Sequence, residues 1–336
     1  MKRNTDLDFI RAILIILMIL IHIVSFGNAY PQLKAGILSF MMPTFLIITG
    51  YLVNIEKTGR QMGNYLKCLA LPYVIMVTGF SVLSYYMPVR DGITELSLSQ
   101  IGEKIFVTSI GPYWFIQTMI ICGTLYYFCF SGRNWNDLRR NYTKRDTYAS
   151  LFVFAVTLLL ISETPALSAS AAAYYFIGVV IRQSKTEWNK LFRHEFFAII
   201  LWIYLLNHDD WYDWGSLAIV FSCWCCISTL LLLQHLLDAP ERFKDISPKI
   251  GKVAKVTNRI KDTLLYIGRN TLPIYLFHPI FTMAAKFYHP LFAWDPSEIW
   301  FAIFTVILAI LGSIAIARIM EKTKLAYLFG KGKILR

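Results

Sequence analysis

Two ionisable side chains lie within the first apolar stretch of the chain. Arg11 and His22 are eleven residues apart, in a run of apolar residues that extends to Phe26. In an α-helix this spacing leaves them about 20° apart around the axis and about 16 Å apart along it. Ionisable groups inside a membrane-spanning helix are costly and by default mark a functional site. The pair therefore predicts one chemically active helix face with groups at two depths.

The two side chains suit different chemistry. An imidazole such as that of His22 titrates near neutral pH and can take a proton from a hydroxyl group. A histidine satisfied by hydrogen bonds in the helix core is the alternative for His22. Arg11 is always charged and can bind a phosphate with two hydrogen bonds, or it can extend to the lipid headgroups. Asp8 lies one turn before Arg11, so a structural Asp8–Arg11 pair is also consistent with the spacing.

Composition excludes a soluble or disordered protein. Of the 336 residues, 56% are hydrophobic, 15% are aromatic and 16% are charged, and the mean hydropathy is +0.51. An ordinary soluble domain has about 25% charged residues, and a disordered chain has few aromatic ones. The six cysteines lie in or at the ends of apolar stretches and form no paired CxxC site with histidines. We therefore predict free thiols and no metal.

Ten stretches are apolar enough to cross a membrane, which takes about 20 mostly apolar residues. The predicted spans are Phe9–Phe26, Ile37–Val53, Cys68–Tyr86, Tyr113–Phe130, Tyr148–Ile161, Ala166–Ile181, Phe196–Leu206, Gly215–Leu237, Leu272–Ala285 and Ile299–Ala317. The fifth and seventh spans are short. The sequence predicts an all-α, polytopic integral membrane protein with about ten transmembrane helices, in a single membrane-embedded domain over residues 1–336.

The distribution of basic residues predicts the orientation of these spans. With the N-terminus inside, the cytoplasmic segments hold 29 of the 33 Lys and Arg, and the outside loops hold Lys34, Arg90, Lys104 and Lys286. Lys and Arg collect in cytoplasmic loops, so both termini are predicted to be cytoplasmic. The net charge of +12 then reports membrane orientation and not a nucleic-acid partner. Residues 238–271 are expected to be a basic cytoplasmic loop with at most one surface helix.

Several motifs, taken in order, resemble the membrane acyltransferase-3 family. Arg11, ten residues and His22 look like the opening signature of that family. Further similar segments are Met42-Pro43 followed by Thr49-Gly50-Tyr51, Leu71-Pro72-Tyr73, Pro112-Tyr113-Trp114-Phe115, and Gly268 to His278, which resembles a late Gly-x-Asn-Ser/Thr-Leu…Tyr…His segment. By these motifs, over residues 7–279, the chain is identified as a member of the family.

The resemblance implies transfer of an acyl group, commonly acetyl, from cytosolic acyl-CoA to a hydroxyl of a glycan, glycolipid or similar acceptor. His22 is then expected to be the general base and His278 a second catalytic residue, a candidate to stabilise the oxyanion that develops on the acyl group. A hydrogen-bonded core residue is the alternative for His278. The other expected site residues are donor-binding Arg11, Lys57, Arg60 and Lys67, with Asp8, Trp114 and Tyr275 as support or walls. Lys57, Arg60 and Lys67 are the basic residues in the region where the family often has an Arg-x-x-Arg pair. Acetyl-CoA or another acyl-CoA is expected as a substrate, with no tightly bound cofactor.

Three residues have predicted structural roles. Thr271 precedes Leu272 and Pro273, a pattern typical of a helix N-cap, and Asn270 is expected to share this role. Gly50 lies inside the second predicted span, where small residues let helix backbones pack closely.

A proton-coupled secondary transporter that uses Arg11 and His22 without acyl chemistry is the alternative function. The chain has no internal repeat, which disfavours that reading, and a non-catalytic scaffold would leave Arg11 and His22 unexplained. The family implies a multi-pass protein of the bacterial inner membrane. Its expected partners are acyl-CoA, a glycan or lipid-linked glycan acceptor and membrane lipids, with no nucleic acid. The acceptor, the acyl chain length and the oligomeric state stay open, a homo-oligomer included.

Overall fold

The protein is described by a computed structural model that covers residues 4–87, 89, 91–130, 144–193 and 195–336. It is 80% helical, with no strand among these residues. Its α-helices are α1 Thr5–Ile21, α2 Val24–Ala29, α3 Pro31–Leu52, α4 Gly59–Tyr86, α5 Leu98–Phe106, α6 Trp114–Phe130, α7 Lys144–Ser162, α8 Ala169–Gln183, α9 Trp188–Leu191, α10 Phe196–Leu206, α11 Leu217–Arg242, α12 Pro248–Arg269, α13 Thr271–Tyr288 and α14 Ile299–Lys322. The predicted all-α class is confirmed.

Six helical segments in the described part of the chain are long and apolar enough to cross a membrane. They are Pro31–Leu52, Gly59–Tyr86, Gly111–Phe130, Arg145–Ser162, Leu217–Arg242 and Ile299–Lys322. The other four predicted spans fall on α1, α8, α10 and α13, which are shorter or less apolar. The count of ten spans and the orientation of the termini stay predictions.

The chain divides into two compact units. The first contains Met1–Phe45, Thr186–Ile319 and Ile334–Arg336, and the second contains Leu46–Lys185 and Met320–Lys333. In the first unit, α1 packs against α11, α12 and α13. Apolar residues all around α1 are buried, as expected for a helix enclosed by others.

The first predicted span is interrupted at His22. α1 ends at Ile21, His22 is its C-cap, and the extended backbone of Ile23 leads into the short helix α2. The backbone N–H of His22 donates to Ile19 O (3.1 Å), while the imidazole Nδ1 lies 2.6 Å from Met18 O. The side chain thus takes the carbonyl that the backbone N–H would bond in a continuing helix, and the last turn tightens.

The basic segment at 238–271 is mostly helical. α11 continues through Pro240 to Arg242, and α12 occupies Pro248–Arg269. Ser247 caps α12 by accepting from the backbone N–H of Lys249, and Pro248 occupies the first turn, where its missing N–H costs nothing. The end of α12 is buried at Gly268, so this helix is part of the packed unit and does more than cover a surface.

In the second unit, α3 crosses α8 at very short range. A Cβ atom at Gly50 would lie 2.2 Å from the carbonyl oxygen of Tyr175, and a Cβ at Gly178 would lie 2.1 Å from that of Ile47. The prediction that Gly50 allows close backbone packing is confirmed. Aromatic side chains fill the space beside this crossing, where the rings of Tyr126 and Phe154 are 5.6 Å apart.

Candidate active site

His22 has a defined proton arrangement. Its Nδ1 lies 2.6 Å from the carbonyl oxygen of Met18. A carbonyl oxygen can only accept, so Nδ1 carries the hydrogen of this bond. In the neutral ring, Nε2 then holds the lone pair, which is the arrangement that a general base requires.

His278 is held in the same way. It lies fully buried in α13, with Nδ1 2.8 Å from the carbonyl oxygen of Tyr275. The next residue, Pro279, lies inside the helix and has no N–H, so Tyr275 O lacks its usual helical donor. The imidazole of His278 supplies that donor. The His-Pro dipeptide inside an apolar helix is thus the sequence feature from which the Nδ1–H tautomer of His278 could be predicted.

The structure brings the two imidazoles together. Their ring centroids are 5.3 Å apart and the planes meet at 79°, an edge-to-face contact. The Nε2 atom of His278 is buried and has no hydrogen-bond partner among the described residues. A buried acceptor left without a donor costs free energy, so this nitrogen is a place where a proton donor can bind. In this tautomer His278 has no Nε2 hydrogen to offer to an oxyanion, and the arrangement favours a role in proton transfer.

Arg11 is the centre of a second cluster at the other end of α1. Its guanidinium donates to the hydroxyl of Thr271 and lies 3.8 Å from the carboxylate of Asp8. The Arg11 side chain is 24% exposed and that of Asp8 only 6%, so Arg11 is the more accessible of the two. A Cβ at Gly268 would lie 1.7 Å from Asp8 O, which explains how α12 comes so close to α1.

The predicted N-cap role of Thr271 is wrong, and that of Asn270 is confirmed in position only. Asn270 occupies the N-cap position of α13 but makes no side-chain cap bond, and Thr271 is the first residue of that helix. The Thr271 hydroxyl accepts from Arg11 instead, because the packing of α12 on α1 brings the guanidinium to it.

Asn270 has a role that sequence reasoning missed. It is fully buried, and its Oδ1 accepts from the backbone N–H of Arg336 (2.8 Å). Its Nδ2 donates to Tyr266 O (2.9 Å) and to Arg336 O (3.4 Å). This side chain therefore fastens the segment Ile334–Arg336 beside the Arg11 cluster. No local pattern near Asn270 signals a partner so distant in the sequence.

One protein family matches most of the chain. The family model Acyl_transf_3, described as an acyltransferase domain, matches residues 4–318. The chain belongs to the acyltransferase-3 family. No curated protein and no solved structure matches it. The chain is thus an acyltransferase and an integral membrane protein, and the transporter alternative gains no support.

The remaining predicted site residues of the acyltransferase lie in both units. In the first unit, the ring of Tyr275 lies 5.8 Å from that of His278. In the second unit, Trp114 begins α6 with its ring 6.2 Å from that of Phe115. Their roles as site walls stay predictions.

The three predicted basic donor contacts all lie in the second unit. Lys57 Nζ is 3.8 Å from the centre of the Tyr65 ring, and partial burial lowers the pKa of this lysine. Arg60 and Lys67 are exposed on α4. Nothing tests their donor-binding role, which stays a prediction. Among the described residues, no group of three or more His, Cys, Asp or Glu is placed to hold a metal.

Proposed function

We propose that this acyltransferase moves an acyl group, acetyl in the simplest case, from cytosolic acyl-CoA to a hydroxyl of a glycan, glycolipid or similar acceptor. The proposed setting is the bacterial inner membrane. The observation that carries the chemistry is the paired arrangement of His22 and His278. Each ring commits Nδ1–H to a backbone carbonyl, which leaves an Nε2 lone pair on each of two rings whose centroids are 5.3 Å apart.

In the proposed reaction, His22 is the base that acts on the acceptor. Its Nε2 takes the hydroxyl proton while the oxygen attacks the thioester carbonyl. Collapse of the tetrahedral intermediate breaks the C–S bond, and the CoA thiolate takes the proton from the His22 imidazolium, so that CoA leaves as the thiol and the neutral base is restored. The Nδ1–H bond to Met18 O stabilises the imidazolium that forms, and the Nε2 lone pair of His278 adds a nearby site for the same proton. General-base catalysis of this kind contributes roughly 10²–10⁴-fold in rate.

Arg11 is proposed to hold the donor. The Arg11 side chain is partly exposed and its guanidinium is positioned by Thr271 and Asp8, which suits bidentate contact with a phosphate group of CoA. Along α1 it is about 16 Å from His22, a separation that an extended pantetheine arm can bridge. One molecule of acyl-CoA can therefore bind Arg11 through a phosphate and present its thioester near His22.

Labelled acetyl-CoA supplied to membranes that contain wild-type protein, His22→Ala or His278→Ala tests the proposal. Label in the glycan and glycolipid fractions is measured at equal protein level. We expect transfer to fall at least 100-fold in His22→Ala. His208→Ala is the matched control, because His208 lies in a short loop and stacks on Trp211.

Two outcomes would count against the proposal. Unchanged transfer by His22→Ala removes the proposed base, and absence of transfer by the wild-type protein with several acyl-CoA donors and native glycans removes the proposed reaction. Quenching under conditions that preserve an acyl-imidazole separates direct transfer from a covalent route, since label retained on the protein in a His22-dependent manner indicates a covalent intermediate.

A further inference from the structure

A groove of about 930 Å³ opens in the first unit, and the histidine pair and Arg11 do not line it. It lies between the N-terminal half of α3 and the end of α10 with the turn that follows. Its lining combines aromatic rings, Trp202 and Tyr212 among them, with the polar side chains Gln32, Asn207 and Asp209. A concave site with a few placed polar groups among apolar and aromatic ones is typical of small-molecule binding.

The aromatic walls are fixed in place. The indole N–H of Trp202 donates to Ser222 Oγ (3.1 Å), and its ring meets Phe40 edge to face at 4.8 Å. The hydroxyl of Tyr212 donates to Leu206 O (2.6 Å). Because the indole N–H and the tyrosine hydroxyl are both hydrogen-bonded to protein, the rings present their apolar surfaces in a defined orientation.

Gly36 makes room for one of these walls. A Cβ atom at this position would lie 3.2 Å from the Tyr212 hydroxyl oxygen, tighter than an ordinary contact. Tyr212 can therefore lie directly against α3. The groove is preorganised on this side, which lowers the entropy cost of binding a ligand.

The polar end of the groove offers hydrogen-bond acceptors. The amide nitrogen of Asn207 donates to Ile203 O (2.7 Å), so its oxygen remains as the acceptor for another group. Asp209 adds a carboxylate, and Gln32 adds an amide that can donate or accept. Ligand hydroxyl groups form hydrogen bonds with these groups, whereas a lipid tail has no polar atoms with which to do so.

A second cavity of about 520 Å³ adjoins this groove and shares Pro31 and Ala35 with it. It adds Asn28 and Lys34, a planar amide and a cation with three donors. A Cβ at Gly27 would lie 2.9 Å from Lys34 Cδ, so the glycine leaves space for the lysine stem. The cavity is lined in part by α2, the helix that follows His22 in the chain.

We propose that the two adjoining cavities are the acceptor site and that they take a saccharide. The apolar faces of a sugar ring pack on Trp202 and Tyr212, and its hydroxyls bond to the amides, Asp209 and Lys34. The inference rests on the proposed function, to which it adds the location at which the sugar of the acceptor binds. Binding itself can be measured without any acyl transfer.

The experiment measures binding of a tritiated probe to the purified full chain in lipid nanodiscs, with no donor present. The probe is the oligosaccharide fraction released by mild acid from glycolipids of the native host. Trp202→Leu removes one wall, and Asn207→Leu removes one acceptor. Trp211→Leu is the matched control, because this half-exposed tryptophan stands in the same turn but does not line the groove.

We expect Kd to rise at least tenfold in Trp202→Leu and in Asn207→Leu, and to stay within twofold of wild type in Trp211→Leu. No binding by the wild-type protein, or an unchanged Kd in both groove variants, would overturn the inference. Loss of co-purified phospholipid in Trp202→Leu with saccharide binding retained would also overturn it, because the groove would then hold lipid.

A separate transfer assay with labelled acetyl-CoA keeps the two proposals distinguishable. A protein that binds the saccharide through the groove but transfers no acetyl group contradicts the proposed function and leaves the site standing. A protein that transfers acetyl to glycan with an acceptor KM unaffected by Trp202→Leu and Asn207→Leu contradicts the site alone.

Discussion

Two helix crossings in this protein use glycine in the same way and serve different ends. In the second unit, α3 and α8 exchange contacts at Gly50 and Gly178, each against a carbonyl of the other helix. In the first unit, α12 meets α1 at Gly268, against the carbonyl of Asp8. Small residues let helix backbones approach closely inside a membrane, where the hydrophobic effect does not drive helices together.

The surroundings of the two crossings differ. Beside α3 and α8 lie apolar and aromatic side chains such as Tyr175 and Phe154, whose packing stabilises the unit. Beside α1 and α12 lie Asp8, Arg11 and Thr271. Asp8 and Arg11 are one turn apart on α1, and Thr271 contacts Arg11 because α12, which leads into α13, lies so close to α1. The same packing device therefore builds a core in one unit and assembles a charged cluster in the other.

Gly268→Ala is expected to have the largest effect on stability and activity. The added Cβ would meet backbone atoms of Asp8, which cannot rotate away, so α12 must move off α1. Overpacking of this kind costs about 3 kcal/mol or more, and separation of Arg11 from Thr271 should also abolish acyl transfer. Thermal unfolding in nanodiscs and the transfer assay check both effects.

Gly79→Ala is the control for this variant, since a Cβ at that position meets nothing within 4 Å. It should be neutral or slightly stabilising because alanine favours the helix. Wild-type stability and activity in Gly268→Ala would contradict the role given to the α1–α12 crossing.

Gly178→Ala should lower stability without changing donor binding. Its Cβ would lie 2.1 Å from Ile47 O, so we expect a loss of about 3 kcal/mol in the free energy of unfolding. The Asp8–Arg11–Thr271 cluster lies in the other unit, so the donor KM of the folded fraction should stay within twofold. A tenfold rise in donor KM would show that the cluster depends on the α3–α8 crossing.

Asn270→Ala tests how the charged cluster is supported. The substitution leaves the backbone N–H of Arg336 and the carbonyl of Tyr266 without their buried partner. We expect a loss of about 2 kcal/mol in stability, measured by denaturant or heat. Asn270→Asp keeps an acceptor for the Arg336 N–H and should be less affected. Equal stability of all three proteins would contradict the fastening role.

Thr271→Val removes the hydroxyl that accepts from Arg11 and keeps the shape of the side chain. A hydrogen bond to a charged group is worth about 1.5 kcal/mol, which corresponds to roughly a tenfold rise in KM for acyl-CoA. Thr271→Ser restores the hydroxyl and should restore KM. If Thr271→Val and Thr271→Ser behave alike, the hydroxyl does not position Arg11.

Asp295 gives the smallest expected effect, at a site outside both crossings. Its carboxylate accepts from the Ser297 hydroxyl (2.5 Å) and from the N–H of Trp300 (2.7 Å), and these bonds lower the pKa of Asp295. A carboxyl with a lowered pKa stabilises the fold at pH values above about 4 and loses this contribution as the pH falls further.

Asp295→Asn should therefore reduce the pH dependence of thermal stability below about pH 4. Asp210→Asn, in an exposed part of another loop, is the matched control. An identical acid dependence in wild type and Asp295→Asn would contradict the assignment.

Much of the helical framework was predictable, and much of the site was not. Each of the ten apolar runs falls on a helix, and the close packing at Gly50 was foreseen because both are properties of short stretches of sequence. The break at His22 was missed, because it depends on the imidazole taking the carbonyl of Met18. The cap assigned to Thr271 was wrong, because a residue from another helix took its hydroxyl.

The sequence by itself determined the all-α class, the membership in the acyltransferase-3 family and the types of residue available for catalysis. These follow from apolar runs and motif order, which are local along the chain. Only the tertiary structure decided that His22 meets His278 edge to face and that Thr271 bonds to Arg11. These contacts join α1 to α13, and helix packing sets them because residues so distant in sequence come together only when α12 closes on α1 at Gly268.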